Sequence, residues 1–143
     1  MGQITYERRS FMTRYTWLKT LLIAVACGFA VFAEAAKLVP DEFVVKPGFV
    51  RYWKFTVGSS AQVIGRFRAQ GGSRNDIEAI VAEWDECENW LNGNGARVLY
   101  SSGKVTNGKL NVSLGSGEYC VAFSNRMSAV SAKEIAAAIE LRD

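Results

Sequence analysis

The chain has 143 residues, a formal net charge of +3 and no histidine. Without histidine, Ser-His-Asp and Cys-His catalytic triads, histidine-ligated zinc sites and an unassisted general base near neutral pH are all excluded. No cofactor-binding motif is present either, so we expect no cofactor.

The first 35 residues have the pattern of an export signal. Arg14 and Lys19 precede an apolar run of 13 residues at positions 21–33. Ala33 and Ala35 then place small side chains at the two positions that a signal peptidase recognises. The pattern predicts a cleavable N-terminal signal helix over residues 1–35, cleavage before Ala36, and a location in the periplasm or outside the cell.

Three features of this leader leave alternatives open. An uncleaved membrane anchor is the weaker interpretation, because a span needs about 18 or more apolar residues. Translation could start at Met1 or at Met12. If the longer form is made, Arg8 and Arg9 resemble a twin-arginine export motif, so the sequence leaves open which export route is used.

Residues 36–143 have the length of a single domain with one hydrophobic core. They contain 13 basic and 12 acidic residues, a net charge of +1. Nucleic-acid binding requires a clustered basic face, so we expect no nucleic-acid partner, and membrane contact only through an uncleaved leader.

Cys87 and Cys120 are the two cysteines of residues 36–143. They could form a disulfide in an oxidising compartment or remain buried free thiols, and the sequence does not decide between these two states.

Apolar and polar residues alternate along most of this part, which is typical of half-buried strands. On the second strand, for example, Phe49, Trp53, Phe55 and Val57 are predicted to share one face. In chain order the predicted strands are 43–45, 49–57, 62–68, 77–81, 97–101, 110–114, 119–123 and 131–141.

Three segments need separate comment. Residues 84–95 lose the alternation and are predicted to form a long loop with at most one helical turn. Asn107-Gly108 is a strong signal for a two-residue hairpin. The alanine-rich segment 131–141 favours a helix by composition, but its alternation of Ile135, Ala137 and Ile139 with polar or small residues favours a strand. The prediction is therefore an all-β fold, an antiparallel β-sandwich of jelly-roll type with seven or eight strands.

The domain resembles the GOLD (Golgi dynamics) β-sandwich family, and in particular secreted bacterial proteins that carry such a domain. The segment from Gly117 to Phe123, the loop 124–128 and the strand that begins at Lys133 carry the most specific part of the resemblance. The other matching segments are 71–77, 89–90, 100–105 and 139–141. The resemblance implies a β-sandwich with a protein-binding role and no catalytic residues. Since no coiled coil or membrane anchor follows Leu141, a cargo-receptor role is not implied.

Acidic residues are crowded in one segment, at positions 83, 85, 86 and 88. A glycosidase usually needs its carboxylates on facing strands, so this crowding favours a non-enzymatic protein. Together with Asn75 and Asp76 the acids could bind Ca²⁺, but their spacing matches no calcium loop, and Asn75-Asp76 more simply shapes a turn. Tryptophans flank the acids, and we expect this segment to bind a partner. The candidate residues are Trp84, Asp85, Glu86, Glu88 and Trp90.

Arg66 and Arg68 are predicted to lie on the solvated side of a sheet, although they could dock an acidic partner. The first functional hypothesis is an exported, non-enzymatic domain that binds another envelope or secreted protein. The second is a module that binds a small ligand, either a carbohydrate or calcium. The third is a structural subunit that self-assembles through exposed strand edges. The oligomeric state is left open.

Overall fold

The computed structural model describes residues 35–143. The predicted signal helix and Ala33 lie outside these residues, whereas Ala35 is included and is exposed. Among the described residues, no helix is both long enough and apolar enough to span a membrane.

The described residues form two antiparallel sheets and one helix, as the all-β prediction expects. Sheet A has the strand order β1-β9-β4-β7, with β2 also pairing with β9, and sheet B has the order β3-β8-β5-β6. The elements are β1 (Ala36–Lys37), β2 (Glu42–Val45), β3 (Val50–Val57), β4 (Ala61–Gln70), β5 (Ile77–Glu83), α1 (Trp84–Leu91), β6 (Tyr100–Val105), β7 (Asn107–Leu114), β8 (Gly117–Ser124) and β9 (Lys133–Arg142).

The main core lies between the two sheets and follows from the period-two pattern of the strands. In β9, Ile135, Ala137 and Ile139 are buried, while the residues between them face outward. The strand interpretation of this alanine-rich segment is thus confirmed. Phe123 of β8 lies at the centre, with its ring centroid 5.2 Å from that of Phe67 in sheet A. These edge-to-face aromatic contacts join the two sheets.

The strands pair as nested hairpins: β5 with β6, β4 with β7, β3 with β8, and β2 with β9. Successive pairs alternate between the two sheets, so neighbouring strands in the sequence often lie in different sheets. This arrangement corrects two predictions. Strand 97–101 is displaced to Tyr100–Val105, and Asn107-Gly108 forms no hairpin. A single residue, Thr106, leads from β6 in sheet B to β7 in sheet A.

Gly108 has a packing role in place of the predicted turn. It pairs with Phe67, and a Cβ atom at this position would lie 2.2 Å from the phenylalanine ring. Since real Cβ atoms do not approach so closely, a glycine is needed here for the ring to reach the core.

The connection between β8 and β9 is fixed by a buried amide. The Asn125 side chain donates hydrogen bonds from Nδ2 to the carbonyl oxygens of Val45 (3.1 Å) and Ser131 (2.8 Å). Gly48 N–H donates to the Asn125 carbonyl oxygen, and Asn125 N–H donates to that of Phe49. These bonds hold the β2–β3 turn close to Arg126, the residue that follows Asn125.

Candidate binding site

Helix α1 covers the outer face of sheet B, where sequence reasoning expected a loop. The expectation of a loop over residues 84–95 was wrong for Trp84–Leu91. Trp84, Cys87 and Leu91 recur at helical spacing and turn one side of α1 toward the sheet. They pack on a second apolar cluster, outside the main core, that includes the buried side chains of Ile80 and Ala122.

A disulfide joins α1 to the sheet beneath it. Cys87 on the helix is bonded to Cys120 on β8, with the two Cα atoms 6.3 Å apart, and both residues are fully buried. The bond ties a short helix, which would be marginal alone, to a central strand of sheet B. It thereby fixes the position of every side chain that α1 presents.

Arg126 holds the other end of α1. Its guanidinium donates hydrogen bonds to the carbonyl oxygens of Trp90 (2.9 Å) and Leu91, and it lies 5.0 Å from the Trp90 ring centroid. A cation at this position adds a second hydrogen bond to the Trp90 carbonyl, which also accepts from Gly93 N–H, and complements the negative end of the helix dipole. Asp85 and Glu86 in the first turn complement the positive end.

A cleft of about 470 Å³ separates α1 from the β2–β3 turn and from β3. Phe49 and Tyr52 form one side, and Trp84 and Leu91 form the other. The Tyr52 and Trp84 ring centroids are 5.9 Å apart, so these two rings contact each other and close one end of the cleft with aromatic surface. The Nζ atom of Lys54 lies 4.5 Å from the Trp84 ring centroid, and this cation–π contact helps to hold the ring in place.

Exposed aromatic side chains at the mouth distinguish this cleft. Phe49 is 63% exposed and Tyr52 is 48% exposed, and they are the two aromatic residues among the exposed large apolar side chains of residues 35–143. Glu88, Asn92 and Arg126 supply a carboxylate, an amide and a guanidinium on the same rim. The lining of the cleft is thus more polar than apolar, and exposed aromatic side chains beside several polar groups suit the recognition of another protein surface.

The five candidate residues predicted from the sequence have different surroundings in the structure, and two of them line the cleft. Trp84 and Glu88 line the cleft, whereas Trp90 is packed beneath Arg126. Glu86 accepts a hydrogen bond from the Arg97 N–H (2.9 Å) and so anchors the segment after the helix. Asp85 is exposed in the first turn.

Five cleft residues outside the predicted segment 84–95 were missed by sequence reasoning: Gly48, Phe49, Val50, Tyr52 and Arg126. Phe49 was assigned to a strand, but it belongs to the turn that Pro47-Gly48 creates, and this dipeptide was the available signal. Tyr52 and Arg126 join the site only through long-range packing, and no local pattern marks them.

The other predicted groups lie elsewhere. Asn75 Oδ1 accepts a hydrogen bond from Gly71 N–H (2.9 Å), the turn-shaping role expected of it, and Asp76 accepts one from the Thr106 hydroxyl. Within residues 35–143, no three acidic, cysteine or histidine side chains are grouped to hold a metal ion. Burial raises the pKa of Tyr100, which lies on β6 against the main core and not in the cleft.

No family model and no curated protein matches the chain.

Proposed function

We propose that this protein is an exported, non-enzymatic β-sandwich domain that binds another envelope or secreted protein through the cleft between α1 and β3. The observation that carries the proposal is the pair of exposed aromatic side chains, Phe49 and Tyr52, at the mouth of a cleft whose far wall is Trp84. Aromatic residues that are already ordered lose little side-chain entropy on binding and dominate the affinity of many interfaces.

The jelly-roll type of the β-sandwich is part of the same proposal. Eight strands that pair as nested hairpins, in the orders 2-9-4-7 and 3-8-5-6, support a jelly roll. The family likeness to GOLD domains is proposed on the sequence segments that carry it. Fold alone does not determine function, so the binding role depends on the cleft.

Export is supported by the disulfide between Cys87 and Cys120, because such bonds persist mainly in oxidising compartments. A non-enzymatic role is supported by the composition of the cleft. Glu88 is the one carboxylate that lines it, and the chain has no histidine that could act as its partner in acid–base catalysis.

Affinity capture from a native envelope fraction tests the protein-binding role. We expect the wild-type protein to retain a specific partner and the Phe49→Ala/Tyr52→Ala variant to lose at least tenfold in affinity for it. Val130→Ala is the matched control, since Val130 is 88% exposed and does not line the cleft. Equal retention by all three proteins would show that the cleft is not the binding surface.

Carbohydrate binding is the second candidate, favoured by the Tyr52–Trp84 pair with Glu88 and Asn92 beside it. Aromatic faces contact the apolar side of a sugar ring, and the carboxylate and amide can bond its hydroxyl groups. A glycan array separates the two candidates. Specific glycan binding that Trp84→Ala abolishes, together with no protein partner, would replace the first proposal by the second.

A further inference from the structure

The outer face of sheet A is open, in contrast to that of sheet B, which α1 covers. Among the residues that the structure describes, no element packs on it, and Ala136 and Ala138 of β9 are exposed there. A shallow depression of about 690 Å³ lies over these alanines, and Arg66, Arg68 and Lys109 border it.

Charges of opposite sign lie on opposite sides of this alanine strand. Along one row of the sheet, Glu42 of β2 pairs with Ala136, which pairs in turn with Arg68 of β4. In the next row, Ala138 pairs with Arg66, and Asp41 borders the same depression from the β2 side. Asp41 and Glu42 thus lie on the β2 side and Arg66, Arg68 and Lys109 on the β4 and β7 side, while β9 itself carries Glu134 and Glu140 and β1 adds Lys37 beside Asp41.

These charges are largely unused within the described residues. Arg66, Arg68, Lys109 and Glu42 take part in none of the ion pairs among residues 35–143, and Asp41 pairs only with the exposed Lys37 at 2.5 Å. Two strand spacings, about 9.6 Å, separate the β2 and β4 backbones. The small alanine between them offers no polar group to either side.

We propose that a second copy of this chain covers this face, related by a two-fold axis that runs along β9. This rotation places the β2 side of one copy over the β4 side of the other. Arg68 then lies opposite Glu42 of the second copy, and Arg66 lies opposite its Asp41. Ala136 and Ala138 meet their counterparts at the centre and allow close approach, and each also lies between Glu134 at one end of β9 and Glu140, which is paired with Arg142, at the other. Because the same contacts form twice, the face is complementary to itself, as a two-fold interface requires.

The size of the face suits such a dimer. Five strands with 34 residues in all form the face. With about 3.3 Å per residue and 4.8 Å per strand, the face measures about 540 Å² per copy, or roughly 1,100 Å² for both. This area falls in the range of weak, transient interfaces, below about 1,200 Å² in total, so we expect a reversible dimer. The face lies on sheet A and shares no lining residue with the cleft on sheet B, so the inference does not depend on the proposed function.

Sedimentation of charge-reversed variants, each expressed as residues 1–143, tests the interface. Arg66→Glu/Arg68→Glu makes the face acidic on both sides, and Asp41→Lys/Glu42→Lys makes it basic on both sides. We expect the wild type to form dimers that dissociate in high salt, each variant alone to be monomeric, and an equal mixture of the two to form heterodimers. Lys46→Glu/Lys104→Glu, with both lysines exposed and outside this face, is the charge-matched control and should dimerise.

Each other outcome contradicts the proposal. A wild type that is monomeric at every concentration shows that no second copy binds. Dimers that persist in both reversed variants place the interface elsewhere on the molecule. If the two variants are monomeric and do not form heterodimers, although circular dichroism shows that both are folded, then Arg66 and Arg68 do not face Asp41 and Glu42 of a second copy.

Discussion

Removing the disulfide should weaken the fold by an amount that the structure allows us to estimate. The bond joins residues 33 positions apart. For a loop of this length, the lost chain entropy of the unfolded state corresponds to about 3.7 kcal/mol at 25 °C. We therefore expect Cys87→Ala/Cys120→Ala to lower the free energy of unfolding by about 3–4 kcal/mol, a large share of the stability of a domain of this size.

Urea denaturation followed by far-ultraviolet circular dichroism measures this loss. Wild-type protein unfolded in the presence of a thiol reductant is the matched control, and its stability should fall close to that of the double variant. The reasoning fails if the reductant leaves the urea midpoint unchanged, or if the unfolded, unreduced protein reacts with Ellman's reagent as two free thiols. Either result would mean that Cys87 and Cys120 are not bonded in solution.

Three further substitutions test individual contacts through thermal or urea unfolding. Arg126→Ala should cost about 1 kcal/mol, because the last carbonyl groups of α1 lose their cation, and Arg126→Lys should recover part of this loss. Gly108→Ala should lower the free energy of unfolding by about 1–3 kcal/mol, because the new methyl group would collide with the Phe67 ring. Gly115 has open space around it, so Gly115→Ala should change the free energy of unfolding by under about 1 kcal/mol. Lys133→Met should lower the free energy of unfolding by about 1–3 kcal/mol. The buried ammonium of Lys133 donates hydrogen bonds to two carbonyl oxygens of the β4–β5 loop, and the substitution would leave both unpaired. An unchanged midpoint would show that water replaces the ammonium.

The strands could be read from the sequence because alternation reports local burial. In β9, the regular spacing of Ile135, Ala137 and Ile139 outweighed the helix propensity of the alanines, and the structure agrees. The order of strands within the sheets could not be derived in the same way. Pairing in nested hairpins brings together segments as distant as β2 and β9, and alternation carries no information about partners.

The helix was missed although the sequence contained a signal for it. Residues 79–82 of β5 are all apolar, and all four are buried. An antiparallel strand that faces water on one side should alternate, so a continuous apolar run indicates that something covers its outer face too. The nearby acidic residues of α1 obscured this inference, because they lie on the exposed side of a helix whose Trp84, Cys87 and Leu91 face inward.

The candidate site illustrates why binding surfaces are harder to predict than cores. Its walls come from the β2–β3 turn, from β3, from α1 and, through Arg126, from the β8–β9 connection. None of these segments specifies the cleft alone, yet each is held by its own constraint. Asn125 ties the turn to the connection, the disulfide ties α1 to β8, and Arg126 caps the helix. Since the constraints act independently of any ligand, the cleft is already formed in the free protein, and the binding that we propose should need no large backbone rearrangement.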